Sequence, residues 1–127
     1  MSALVLDAGA LIAIDRGDRD MLLRLERAAK DGVEVRTNAM VVAQVWRDSG
    51  GRQARLAKAL RDVKVRPVSP EEGRQAGQLL AKTGLADAID ATVALLVDPG
   101  DHLYTSDPDD LRKLCEGAKN KAVVIDC

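Results

Sequence analysis

Phenylalanine is absent from this 127-residue chain, and the larger aromatics occur once each, as Trp46 and Tyr104. Single-strand nucleic-acid modules that stack bases need several ring platforms, so the chain is not built as one of those. Trp46 reads as a packing residue rather than a base-stacking ring. Histidine is equally scarce: His102 stands alone inside a predicted strand, which favours a structural role and speaks against a ribonuclease working with paired imidazoles. The two cysteines, Cys115 and Cys127, lack the spacing of zinc ligands; of the two readings left, a disulfide between them or free thiols of a reducing compartment, the second is the plainer. No Ser or Cys has a His or Lys at the spacing of an activated nucleophile, and no glycine-rich phosphate loop occurs. Covalent hydrolase chemistry has no support.

Charge bias is missing too. Twenty acidic and nineteen basic residues leave a net charge of −1, so nothing pulls the whole molecule toward nucleic acid, membranes or acidic partners. Any contact with RNA falls to local patches. No apolar run approaches the ~20 residues of a membrane span. The opening Met-Ser-Ala-Leu-Val-Leu-Asp lacks the basic-then-apolar order of a signal peptide. The expectation is a cytosolic protein that does not meet the membrane.

What remains is an ordinary globular composition, 46% apolar and 31% charged, at a length suited to one domain spanning residues 1–127. No repeat or linker divides it. Strands are expected at 3–6, 33–36, 63–66, 102–104 and 122–125. Between them fall helices at 10–16, from Asp18 to residue 30, and onward from a cap at Thr37 or Asn38. Others run from the Gly50-Gly51 break through 61, from Ser69 to 82, over 87–97 and over 108–115. Leu22, Leu23, Leu25 and Ala29 supply the stripe of the second helix. Ser69-Pro70-Glu71-Glu72 joins a cap, a first-turn proline and acids at the positive helix end. Strands alternating with helices imply the α/β class, here a three-layer α/β/α sandwich around a mainly parallel five-stranded sheet.

The acids carry the chemistry. Asp7 follows the first strand and Asp107 the fourth, while Asp87 and Asp90 open the helix that precedes the fourth. Ligand sites in open parallel sheets gather at the carboxyl ends of strands, so Asp7 and Asp107 share an edge if their strands are neighbours. Three residues apart on a helix, Asp87 and Asp90 share a face. Singly, Asp87 and Asp107 look like helix caps; an acid directly after a buried strand, as Asp7 is, has no such ready explanation. Crowded carboxylates repel and take up protons unless a cation neutralises them. Hard oxygen ligands favour magnesium or manganese, which can acidify a water for attack on a phosphodiester.

The stretch Val5-Leu6-Asp7-Ala8-Gly9-Ala10-Leu11-Ile12-Ala13 resembles the opening of a PIN domain, in which an Asp ends the first strand. Ala86-Asp87-Ala88-Ile89-Asp90-Ala91-Thr92-Val93-Ala94 is similar to that family's Asp-bearing central helix, and Tyr104-Thr105-Ser106-Asp107-Pro108-Asp109-Asp110-Leu111 to its late Thr-x-Asp motif. No single motif is specific; their succession over essentially the whole chain is. The resemblance implies a VapC-type toxin of a toxin–antitoxin pair: an endoribonuclease using Mg2+ or Mn2+, cutting transfer or ribosomal RNA by metal-activated water. It further implies a homodimer restrained by a VapB-type antitoxin that places a basic side chain in the pocket. Carried over by position, Asp7 and Asp107 would be metal ligands, with Asp87, Asp90 or both supplying the helix ligand. Thr105 would support the site.

One position departs from the pattern. The family places a Glu on the helix after the second strand, where this chain has Gln44. An amide oxygen can hold a metal or its water but brings no charge, and Asp48 is a poor substitute. Two functions therefore compete: the nuclease, and a non-catalytic PIN-like module whose acidic pocket receives a basic partner segment. A phosphoacceptor domain centred on Asp7 lacks the acidic neighbours and late lysine that it needs. Arg47, Arg52, Arg55, Lys58, Arg61, Lys64 and Arg66 make mid-chain locally basic, either as a solvated face or as a phosphate-guiding rim. Arg47, close to Gln44, and then Arg16 are the candidate RNA contacts.

Overall fold

The computed structural model describes residues 2–48 and 50–127. Its elements run β1 (Leu4–Leu6), α1 (Ala8–Asp15), α2 (Arg19–Asp31), β2 (Val35–Asn38), α3 (Ala39–Val45) and α4 (Ala54–Leu60). They continue with β3 (Lys64–Arg66), α5 (Pro70–Thr83), α6 (Ala88–Ala94), β4 (His102–Thr105), α7 (Pro108–Gly117) and β5 (Val123–Asp126). The five strands form one sheet in the order β3-β2-β1-β4-β5, and every pairing is parallel. Parallel neighbours require crossover connections, and the helices supply them.

Alternation along the strands sorts the helices into two layers. Leu6 pairs with Tyr104, and the Tyr104 hydroxyl accepts from Arg24 of α2, whose guanidinium lies 5.1 Å from the ring centre. Val5, Leu103 and Val124 point the other way, toward the layer that contains α6 and α7. Leu6, Leu11, Ile14, Leu103, Leu111 and Leu114 are among the largest side chains wholly withdrawn from solvent. This is the α/β/α sandwich of the sequence reading. Among the described residues no helix is long and apolar enough to cross a membrane.

Helix starts follow local chemistry closely. Asp18 accepts from the Met21 amide, Asn38 from that of Val41, and Ser69 and Glu72 form a reciprocal capping box. Other boundaries depart from expectation. β2 begins two residues later than sequence pattern suggests, because Gly32 leaves α2 at φ 68° and the Val33 amide still donates to Ala28. α6 stops at Ala94 instead of 97: the Leu96 and Val97 amides tighten onto Val93 and Ala94. In α2 the inward face is made by Met21 and Ala28 flanked by Leu22 and Leu25, whereas Leu23 is 55% exposed and Ala29 is exposed. At 100° per residue Leu23 lies on the far side from Met21 and Ala28.

At the amino-terminal pole of the sheet, buried Arg36 donates to the Leu96 carbonyl and pairs with Glu34, Asp98 and Asp101. Asp101 also accepts the amides of Ala3 and Asp98. These acids are satisfied. At the opposite pole they are not.

Candidate metal centre

Asp7 is the first residue beyond β1, and strand alternation turns its side chain toward α6 and α7. Its placement is tightly determined. The Asp7 amide donates to the Tyr104 carbonyl at 3.0 Å, and the Thr37 hydroxyl holds the preceding Leu6 carbonyl at 2.7 Å. Thr105 Oγ1 donates to Asp7 Oδ2 at 2.8 Å and accepts from the Asp107 amide at 3.0 Å. One fully buried hydroxyl thus joins the end of β1 to the start of α7. Asp7 Oδ1 is buried and has no hydrogen-bond partner. An orphaned carboxylate oxygen is costly unless something outside the protein satisfies it.

The second contribution comes from α6. Asp87 is its N-cap and spends Oδ1 on the Asp90 amide, at 2.9 Å. Asp90 is buried while Asp87 stays exposed. From below, Asn38 holds α6 by donating to Thr92 Oγ1 at 2.9 Å, and Thr92 donates to the Ile89 carbonyl. Asn38 is 1% exposed and also caps α3, so one side chain fixes two helices to the end of β2.

α7 supplies the third. Asp107 sits at the N-cap position without making a side-chain cap bond, and its carboxylate lies against Asp110. Oxygens of Asp90, Asp107 and Asp110 all lie within 4.8 Å of one another. Burial, then the charges of Asp7, Asp87, Asp107 and Asp110, push Asp90 up to about 7. Desolvation and the neighbouring Asp110 raise Asp107 as well, with Asp7 adding to it. The donor set is all carboxylate oxygen, from α6 and α7, as a hard divalent cation requires, with the charge of Asp7 felt by Asp90 and Asp107.

The structure brings three of the four expected aspartates to one pole, and Asp87 borders them as a cap. Asp110 was missed. Its signal was available, three residues beyond Asp107 at the start of a helix and so on the same face. Gln44 is exposed on α3. Arg47 folds its guanidinium back onto the Ala43 and Trp46 carbonyls, so it terminates α3 instead of reaching outward. Arg16 is exposed beyond the end of α1. Of the basic stretch, Lys64 and Arg66 are tied to Glu34. The cysteines are free, Cys115 buried and Cys127 exposed, and both thiols are raised to about 11, by burial above all.

No protein-family model matches the sequence, and no curated protein matches it. Solved structures do match. A chain of VapBC2 from Rickettsia felis, determined bound to a DNA fragment from their promoter, superposes with a TM-score of 0.70 at 16% identity, over 98% of both chains. PAE2754 from Pyrobaculum aerophilum superposes with a TM-score of 0.59 at 22% identity, over 98% of this chain and 90% of that one. At such identities the likeness establishes the fold, which is the PIN-like α/β fold.

Proposed function

We propose that this chain, built on a PIN-like fold, is a divalent-cation-dependent endoribonuclease and the toxin of a toxin–antitoxin pair. The observation that carries the reading is the convergence of Asp90, Asp107 and Asp110 within 4.8 Å beside a buried Asp7 oxygen without a partner. Mg2+ or Mn2+, once bound, neutralises these carboxylates, lowers the pKa of a water and offsets charge on the phosphate. The chain's own residues do the positioning. Thr105 anchors one oxygen of Asp7 and leaves the other buried without a partner. Asp90 must release a proton to take part, and Asp107 and Asp110 enter from the first turn of α7. RNA of the transfer or ribosomal class is the substrate, and a VapB-type antitoxin, whose basic side chain would compete for the same acids, is the partner. The likeness to a VapBC2 chain supports that pairing.

Cleavage of a transfer-RNA mixture by the purified chain tests the reading. Activity is expected with Mn2+ or Mg2+, none with chelator, and a loss of at least about 100-fold in Asp7→Asn and Asp90→Asn variants that remain folded. One observation favours a second reading: Gln44 brings no charge where a fourth element could have supplied a carboxylate. If the wild-type chain binds Mn2+ yet cuts no RNA, it is a non-catalytic module that receives a basic partner segment.

A further inference from the structure

The two edges of the sheet are treated differently. At one edge, β3 reads Lys64-Val65-Arg66 with Pro67 after it, and charged side chains and proline discourage a further strand from pairing there. At the other edge, β5 reads Val123-Val124-Ile125-Asp126 and carries no such guard until Asp126. The Val123 and Cys127 amides donate inward, to Asp101 and Thr105. Alternation therefore turns the N–H and C=O of Val124 and Asp126 outward, where no strand follows among the described residues. Beside this edge, between α7 and β5, lies a cavity of about 480 Å³. Cys115, Ala122 and Val124 give it an apolar floor, and Arg112, Lys119 and Lys121 stand around it. All three cations are exposed; Arg112 is shared with Asp109 at 3.3 Å, and Glu116 is the one acid among the lining residues. Lys119 holds a left-handed backbone, φ 58°, in the turn between α7 and β5.

We propose that this edge is a docking surface for an extended acidic peptide segment of a partner protein, which adds a strand to β5 and sets its carboxylates among Arg112, Lys119 and Lys121. Strand addition draws affinity from main-chain hydrogen bonds and selectivity from alternate side chains. The outward groups of Val124 provide the first, and the cationic, apolar-floored cavity provides the second. Charge complementarity selects an acidic occupant. The apolar floor and the free amides favour a peptide over a nucleic-acid strand, whose phosphates gain nothing from either. Asp126 at the far end of β5 repels an acid there, so the carboxylates of the segment belong at the Lys119–Lys121 end. The surface is distinct from the acidic centre, because Arg112 lies on the side of α7 opposite Asp110 and Lys119 and Lys121 follow the far end of that helix.

An acetylated, fluorescein-labelled peptide of alternating Glu and Val, titrated into the full chain, tests the assignment, with amide NMR shifts locating it. Saturable binding with shifts concentrated over residues 119–126 is expected. A Lys119→Glu, Lys121→Glu double variant should weaken it about tenfold, and Arg112→Glu alone about threefold. A matching Lys/Val peptide should not bind. Absence of binding, or affinity indifferent to both charge reversals, overturns the proposal. It is equally overturned if a single-stranded oligoribonucleotide moves these amides and the acidic peptide does not.

Discussion

Asp90 ionises in ordinary peptides near 3.8, and here burial among four other aspartates raises it to about 7. A carboxyl that binds its proton more tightly folded than unfolded makes the fold more stable in acid. That contribution is complete below about pH 4 and is lost as pH rises toward about 7, where the folded form must also ionise. Asp90→Asn removes the cost. In chelator at pH 8 the variant should melt above wild type by an amount worth roughly 2–4 kcal/mol, and at pH 4 the two should coincide. Millimolar Mn2+ should then raise the wild-type melting temperature and leave the variant unmoved. Equal melting at both pH values would show that Asp90 is solvated like any surface acid. Neighbouring residues of α7 make a second comparison: Asp110→Asn should weaken Mn2+ binding about tenfold or more, whereas Asp109→Asn, whose partner is exposed Arg112, should leave it within twofold. Sequence alone could weigh Asp87 against Asp90 only as a tie. The Asp90 amide donates to one oxygen of Asp87, which favours Asp90 as the helix ligand, and that bond depends on where α6 starts.

Helices hold these residues in place through contacts that are small and specific. Gly9 lies in the first turn of α1 against the loop that leads into α7, and a β-carbon there would stand 2.6 Å from Ser106 Oγ and 2.7 Å from the Ser106 backbone nitrogen. The backbone cannot yield as a side chain can. Gly9→Ala should therefore cost about 1–3 kcal/mol in chemical denaturation and weaken Mn2+ binding by separating Asp7 from Asp107. An unchanged midpoint would mean that the loop moves freely. Asn38→Ala removes the cap of α3 and the bond to Thr92 together, and should cost about 2 kcal/mol or more. Caps were legible from sequence because they are local: Asp18, Ser69 and one of the pair Thr37/Asn38 announce themselves within four residues. The exposure of Leu23, the shortness of α6 and the later start of β2 were not, since each depends on how a helix end meets the layer beneath it.

Across the whole molecule, the site exists because β1 lies between β2 and β4. That order sets Asp7 beside Thr105, 98 residues away, and leaves Asn38 on the other side to hold α6. Alternating strand and helix patterns foretold the parallel sheet and its carboxyl edge, but no local pattern states which strands are neighbours. The two poles differ in how their acids are met. At one, Arg36 neutralises Glu34, Asp98 and Asp101; at the other, Asp7, Asp90, Asp107 and Asp110 face each other without a basic partner among the described residues. We propose that these carboxylates form a single divalent-cation site. Calorimetric titration of Mn2+ at pH 8 and pH 6 tests that most directly. Saturable binding that weakens at the lower pH, as Asp90 regains its proton, and that disappears in Asp7→Asn is the predicted result. Binding absent from the wild-type chain, or equally strong in Asp7→Asn, would contradict it.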